Sequence, residues 1–253
     1  MIEIQSLDGG YPGNPVLHGI DARIPGGKIT VIVGPNGCGK STLLKTLAGI
    51  LPRSGGDIRI GGRDIGSFSP RELAQQVAFL PQSRQSADLT ALRMVLHGRF
   101  PYLSYPRRYS PRDLQIARQA MDRLGIGGLE AASVSTLSGG TRQKVYIAMA
   151  LAQDTPIVLM DEPTTFLDVA HQLQMMRDAR FLADSGKTVV MVLHDLTMAL
   201  GTADLVAVMA GGRLLRQGSP QEVFASGCLD GVFGVRVNRF QTPSGWQYYY
   251  ESL

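Results

Sequence analysis

The chain of 253 residues is poor in cysteine, with only Cys38 and Cys228. Two thiols cannot make the disulfide framework of a small secreted scaffold, so a reducing, cytosolic setting is expected. The start, Met1-Ile-Glu-Ile-Gln-Ser, lacks the basic residues and apolar block of an export signal. Long apolar runs are missing too. Clusters such as Thr188 to Leu193 are halted by His194 and Asp195, far short of the roughly 20 residues that cross a bilayer. Net charge is only +4, which permits an anionic partner without demanding one and gives no support to a nucleic-acid surface. Internal repeats and low-complexity tracts are absent. What remains, with 44% apolar and 18% charged residues, is an ordinary folded chain long enough to bury a full core.

The most informative stretch runs from Lys28 to Ala48. Ile29 to Val33 is a short β-branched run, as expected of a buried parallel strand, and Ser41 to Ala48 carries leucines at helical spacing. Between them lies G-x-x-x-x-G-K-S: Gly34, Pro35, Asn36, Gly37, Cys38, Gly39, Lys40 and Ser41. Glycines let backbone amides close around a di- or triphosphate, and the helix that follows points its positive end at the same oxygens. Lys40 would bridge the β and γ phosphates, and the Ser41 hydroxyl would coordinate the accompanying Mg²⁺, with Thr42 completing the cradle. The reading is a nucleoside triphosphate site. Cys38, among inward-facing amides and beside Lys40, is expected to have a lowered thiol pKa.

Along the rest of the chain, residues 2 to 5 and 16 to 24 read as strands joined by a turn from Gly9 to Asn14 that contains Tyr11. Gly55-Gly56 and Gly61-Gly62 punctuate another strand, Asp57 to Ile60. Val77 to Leu80 is a buried strand ending at Pro81 and Gln82. From Ser83 to about Ala152 the spacing turns helical, with Leu92, Val95, Leu96, Leu114, Ala117, Met121 and Leu124 in register. Its middle, His97 to Arg112, mixes Arg99, Tyr102, Tyr105, Arg107, Arg108, Tyr109 and Arg112, and reads as a solvated loop or protein-docking surface. Strands return at Ile157 to Met160, Thr188 to Leu193 and Leu205 to Met209, separated by helices near 169 to 184 and 196 to 203. That alternation predicts a parallel sheet flanked by helices. Val235 to Thr242 and Trp246 to Glu251, around Pro-Ser-Gly, predict a terminal hairpin.

Two more clusters carry chemistry. The strand before Asp161-Glu162 ends in adjacent carboxylates, the metal-side element that a phosphate loop needs. Asp161 would hold Mg²⁺ through water, while Glu162, pointing elsewhere, would polarise the attacking water. Leu137-Ser138-Gly139-Gly140 opens a helix from Thr141 to Ala152, a second anion site. Two cradles serve one nucleotide only if they face each other. If one chain cannot arrange that, a second copy must.

Taken in order, the phosphate loop, Gln82, Leu137 to Gly140, Asp161-Glu162, Leu167-Asp168 and His194-Asp195 make almost the whole chain resemble an ATP-binding cassette ATPase, the motor of ABC transporters. The resemblance implies an α/β P-loop NTPase fold: parallel core sheet, antiparallel β subdomain and helical subdomain. It implies a single domain over 1–253, with the catalytic core at 1–82 and 153–225, the helical subdomain at 83–152 and a hairpin extension at 226–253. It implies a head-to-tail homodimer with ATP and Mg²⁺ held between one chain's phosphate loop and the other's Ser138, Gly139 and Gly140. Gln82 would be a metal ligand and sensor, Glu162 the base, Asp168 the D-loop aspartate, His194 the switch histidine on the γ phosphate, and Tyr11 the adenine stack.

Leu96 to Leu103, Ala148 to Pro156 and Thr164 to Asp168 are similar to importers of iron siderophores, haem or cobalamin. Thr141 and Lys144 depart from the glutamine and arginine usual in the family. The implied partners are integral-membrane permease subunits, near which His97 to Arg112 would dock, and indirectly a periplasmic or surface substrate-binding protein. The chain would then lie peripherally on the cytoplasmic face of the inner membrane. The alternative is a soluble cassette ATPase working on nucleic acid or ribosomes. Against it, the span from Lys40 to Ser138 lacks sustained heptads and is short for the coiled coils of DNA-repair members. A catalytically dead cassette would be expected to lack Glu162 or His194, and both are present.

Overall fold

Strands covered on both faces read as continuous apolar runs, and the central sheet shows why. The structure, a computed structural model, describes residues 1–82, 88–165, 167–243 and 245–253. The first residues of the expected helical stretch (83–87), Phe166 and Ser244 lie outside the described residues. The strands are β1 (Ile2–Tyr11), β2 (Asn14–Ile24), β3 (Ile29–Val33), β4 (Arg53–Ile60), β5 (Arg63–Asp64), β6 (Val77–Leu80), β7 (Ile157–Asp161), β8 (Thr188–Val192), β9 (Leu205–Ala210), β10 (Arg213–Gly218), β11 (Val235–Thr242) and β12 (Gly245–Ser252). The helices are α1 (Lys40–Leu47), α2 (Pro70–Ala74), α3 (Ala91–Leu96), α4 (Pro111–Arg123), α5 (Gly139–Gln153), α6 (Val169–Asp184), α7 (Leu196–Thr202), α8 (Pro220–Ala225) and α9 (Cys228–Phe233).

Six strands form the central sheet in the order β10-β9-β3-β8-β7-β6, parallel except for the β10 edge. Successive side chains point to opposite faces, so each strand feeds two cores. Val31, Val158, Val189 and Val208 join the helical side with α3 to α6. Ile32, Leu159, Val190 and Ala207 join the other side, where α1 and a second sheet, β2-β1-β4-β5, complete the packing. The hairpin β11-β12 stands apart as a two-stranded sheet resting on α7.

The glycine-rich segments behave differently from expectation. The predicted turn from Gly9 to Asn14 shrinks to Pro12 and Gly13, because β1 and β2 run past Gly9 and Gly10 with shifted register. Gly55 and Gly56 lie inside β4 rather than before it. Gly56 has φ +74, and a side chain there would collide with the Ser6 carbonyl, itself in a left-handed bulge of β1 with φ 46. The glycine serves a bulge, where two backbones meet closely.

The stretch His97 to Arg112 is also corrected. It opens with a 3-10 turn, His97–Tyr102, that is largely built into the helical body. Arg99 is 7% exposed, donates to Asp113 Oδ1 (3.0 Å) and to the Ala152 carbonyl (2.8 Å), and lies flat against the Tyr102 ring. The Tyr102 hydroxyl donates to the Gln153 carbonyl. Arg71 of α2 and Gln75, its C-cap, reach the Pro101 carbonyl, tying this turn to the core. A basic aromatic pair that looked like surface is an internal brace. Before Ser104 only His97 and Phe100 are exposed; from Ser104 onward, including Tyr105, Arg107, Arg108, Tyr109 and Arg112, the whole stretch is.

Candidate functional site

The carboxyl ends of parallel strands are where open α/β sheets bind ligands, and the sequence puts its chemistry there. Gly34 follows β3, Gln82 follows β6, Asp161 ends β7 with Glu162 next, and His194 follows β8. The register pairs Leu80 with Met160, Asp161 with Val192 and Ile32 with Val192. These four loop starts therefore share one sheet edge.

At the phosphate loop, a side chain on Gly34 would strike the Met209 carbonyl and Cys38 Sγ. Gly37 and Gly39 take φ +77 and +101, conformations that glycine alone adopts freely. Gly39 caps α1. Lys40, 5% exposed, donates from Nζ to the Gly34 carbonyl (2.7 Å) and the Pro35 carbonyl (2.9 Å). Its ammonium is thus held at the loop itself. Cys38 corrects the sequence reading: burial pushes its thiol up, outweighing the neighbouring Lys40 charge. It is a small buried thiol, with its carbonyl bonded by Gly212 N–H.

Ser41 Oγ donates to Asp161 Oδ1 at 2.7 Å. Asp161 is 3% exposed, and burial, reinforced by the adjacent Glu162 charge, raises its carboxyl above the usual range. A partly buried hydroxyl-carboxylate pair next to a second carboxylate is an oxygen-donor set that suits a hard divalent cation shared with phosphate oxygens. Gln82, whose amide nitrogen donates to Glu162, has no partner on its own oxygen among the described residues and could turn it to such an ion.

Glu162 turns the other way. Its φ of 49 is left-handed, and its carboxylate gathers Gln82 Nε2, the Thr165 hydroxyl (3.2 Å) and His194 Nε2 (2.5 Å). Asp195, beside His194, caps α7 through Thr197 and Met198 N–H. Tyr11 is linked to the phosphate helix by Lys45, whose Nζ donates to its hydroxyl (3.3 Å), and its ring remains 42% exposed.

The second cradle sits elsewhere. Ser138 caps α5, accepting from Thr141 N–H and donating to Thr141 Oγ1 (2.9 Å). Thr141 thus closes back on the cap. Ser138 and Gly139 are exposed, whereas Gly140 is buried. α5 packs on α3, α4 and β6, while α1 packs on β1, β2 and β7. Among the described residues, no hydrogen bond or ion pair joins Ser138, Gly139 or Gly140 to the phosphate loop. Asp168 caps α6, accepting at Oδ1 from both the backbone and ring nitrogens of His171. The residues that sequence reasoning missed are Thr165, Gln143, which donates to the Pro163 carbonyl (3.1 Å), and His171. Of these, His171 left a trace, since it stands three residues after a helix-capping aspartate.

A model of the ABC transporter family matches residues 17–165, and the chain belongs to that family, as its ATP-binding, ATP-hydrolysing subunit. It is 39% identical over 236 residues to the achromobactin transport ATP-binding protein of Dickeya dadantii, spanning 92% of this chain and 88% of that one. It is 41% identical over 232 residues to the hemin import ATP-binding protein of Streptomyces coelicolor, spanning 91% and 82%. Among solved structures, a metal-chelate type ABC transporter in an inward-facing conformation superposes with TM-score 0.86 at 26% identity, covering all of this chain and 97% of that one. A dimeric bacterial ABC transporter cassette matches with TM-score 0.76 at 27% identity, covering 87% and 99%. The expected fold class, a P-loop ABC ATPase with parallel core, antiparallel sheet and helical body, is borne out. No helix among the described residues is long and apolar enough to cross a membrane.

Proposed function

We propose that this chain is the motor of an importer for iron chelates of the siderophore or haem type. Two copies pair head to tail, each ATP lies between one chain's phosphate loop and the other's Ser138 to Gly140, and hydrolysis drives a membrane permease. Lys40 holds the phosphates, Ser41, Asp161 and Gln82 face Mg²⁺, and Glu162 serves as general base. His194 contacts the γ phosphate, Tyr11 stacks on adenine, and Asp168 contacts the partner copy. When bound, Mg²⁺ neutralises charge on the phosphate oxygens. The observation that carries this reading is the division of the site. Ser41, Asp161, Glu162, Gln82 and His194 converge at one sheet edge, while the second cradle opens a helix packed in a different neighbourhood.

The cargo class rests on the relatives named for achromobactin and hemin. A permease and a substrate-binding protein complete the machine, which places the chain peripherally on the cytoplasmic face of the membrane. On this reading 1–82 and 153–225 form the catalytic core, 83–152 the moving helical part and 226–253 an appended hairpin. Glu162→Gln is expected to keep MgATP affinity and slow turnover by about 10²- to 10⁴-fold, the usual loss for a general base, while ATP-bound dimers accumulate in size exclusion. Near-normal hydrolysis would remove Glu162 from the role. Uptake of a radiolabelled ferric chelate by the reconstituted permease complex tests the cargo class, and transport confined to another solute would refute it.

A further inference from the structure

The second cradle and the loop bearing Asp168 meet at one side chain. His171, on the first turn of α6, donates from Nδ1 to Asp168 Oδ1 at 2.7 Å, the same oxygen that accepts its backbone N–H at 2.9 Å. A carboxylate only accepts, so the ring proton resides on Nδ1. The opposite edge of the imidazole, Cδ2 and Nε2, lies flat on Gly140, so closely that a methyl group at residue 140 would overlap the ring. The ring thus fills the space a Cβ would take, which leaves residue 140 to glycine.

The same seam has further ties. Gln143, one turn along α5, donates to the carbonyl of Pro163, the residue after Glu162. Gln172 donates to the Leu167 carbonyl at 3.1 Å and holds the loop before Asp168. Lys144 lies near Asp178 across the two helices, and Asp178 also receives the Gln174 amide at 2.9 Å. The helix carrying the second cradle is thus fastened to the core beside Asp168.

We propose that His171 is a positioning residue that couples Asp168 to the Ser138 to Gly140 cradle, so that each copy presents the two together to its partner's nucleotide. The proposal rests on the paired-cassette reading above. It gives His171 no contact with nucleotide. Its effect falls on pairing and turnover, and binding at the phosphate loop of the same chain is spared.

The experiment uses the full chain in a Glu162→Gln background, with MgATP as the ligand and analytical ultracentrifugation as the readout. Glu162→Gln alone must dimerise on MgATP, and a chain that stays monomeric refutes the paired-cassette reading itself. Given that dimer, adding His171→Ala should raise the MgATP concentration for half-maximal dimerisation by about 2- to 30-fold, the range of residues that couple sites without touching ligand. With Glu162 intact, kcat should fall by a similar factor, while MgATP affinity of the monomer stays unchanged. Gly140→Ala should show a comparable defect when His171 is present and a much smaller one when residue 171 is alanine, because the methyl then has room. His171→Gln, which retains a donor for Asp168 but no ring against Gly140, should be intermediate.

Unchanged dimerisation and turnover in His171→Ala overturns the proposal. So does a Gly140→Ala defect of equal size with and without the imidazole. If His171→Ala does not fold, His171→Gln decides, and parent-like dimerisation in that variant overturns it.

Discussion

Removing Arg99 separates bracing from docking. The guanidinium lies between Asp113 and the Ala152 carbonyl, with both side chains of the ion pair about nine-tenths buried, at 9% and 11% exposure. Breaking a buried pair by deleting one partner costs about 3–5 kcal/mol. Asp113 would keep two bonds from Ser110, N–H at 2.9 Å and Oγ at 2.7 Å, which places Arg99→Ala at the lower end. At about 2–4 °C per kcal/mol for a chain of this size, a loss of about 3 kcal/mol lowers Tm by roughly 6–12 °C.

The pH dependence follows from Asp113. Burial works to raise its pKa, but the Ser110 hydrogen bonds and Arg99 outweigh it and hold the carboxyl below its ordinary 3.8. A carboxylate depressed on folding stabilises fully above its unfolded pKa, and that contribution disappears as pH falls through the folded value. The cost of Arg99→Ala should therefore be constant from neutral pH to about 5 and shrink only below about pH 4. Thermal melts followed by circular dichroism measure both. Tyr105→Ala is the control, since that side chain is 96% exposed. It should melt like wild type while losing permease-stimulated ATPase. A shift under about 2 °C for Arg99→Ala, less than 1 kcal/mol, would refute the brace.

Two further outcomes test the nucleotide site. A maleimide should modify Cys38 slowly at neutral pH, faster as pH rises, and more slowly with MgATP, whereas Cys228, partly exposed, should be indifferent to nucleotide; equal labelling of Cys38 with and without MgATP would count against the cradle. Tyr11→Ala should weaken ATP binding by about 2- to 10-fold, the range for losing one ring stack, and calorimetry showing no change would leave Tyr11 as a strand-end residue.

The central sheet was legible because burial on both faces leaves its mark within each strand. Ile29–Val33 and Val77–Leu80 have the limits read from their apolar runs. Helix α6 was legible through its span between Asp168 and Asp184. Edges were harder. β10 has few buried residues and follows Gly211-Gly212, so a turn signal with no apolar pattern behind it was passed over. The helices α2 and α8 each begin with Ser-Pro-x-Glu and a full capping box, a local signal that could have found them. Arg99 and Tyr102 could not be read, because their burial depends on Asp113, Ala152 and Gln153, partners fixed only once α4 and α5 pack together. The seat of His171 on Gly140 is non-local in the same way.

The two adjacent carboxylates illustrate how one backbone angle divides labour. Side chains of consecutive strand residues already point apart, and Asp161, as the last residue of β7, turns inward to the Ser41 hydroxyl. Glu162 leaves the strand in a left-handed conformation, φ 49, which costs a non-glycine residue about 1–3 kcal/mol and persists only where surrounding contacts enforce it. Those contacts are Gln82, Thr165 and His194, arriving from the loops after β6, β7 and β8. Oε2 accepts from both Gln82 and Thr165, and Oε1 faces His194, so of about four lone-pair sites one, on Oε1, is left for a water in this arrangement. A glutamate that takes a proton from water must do so at that site or give up one of these partners. On the proposed reading His194 would reach the γ phosphate, whereas Gln82 could offer its oxygen to a metal ion with its nitrogen still on Glu162. Nucleotide binding would then draw His194 away and open the Oε1 face of Glu162, which on that reading makes release of the base a consequence of substrate binding.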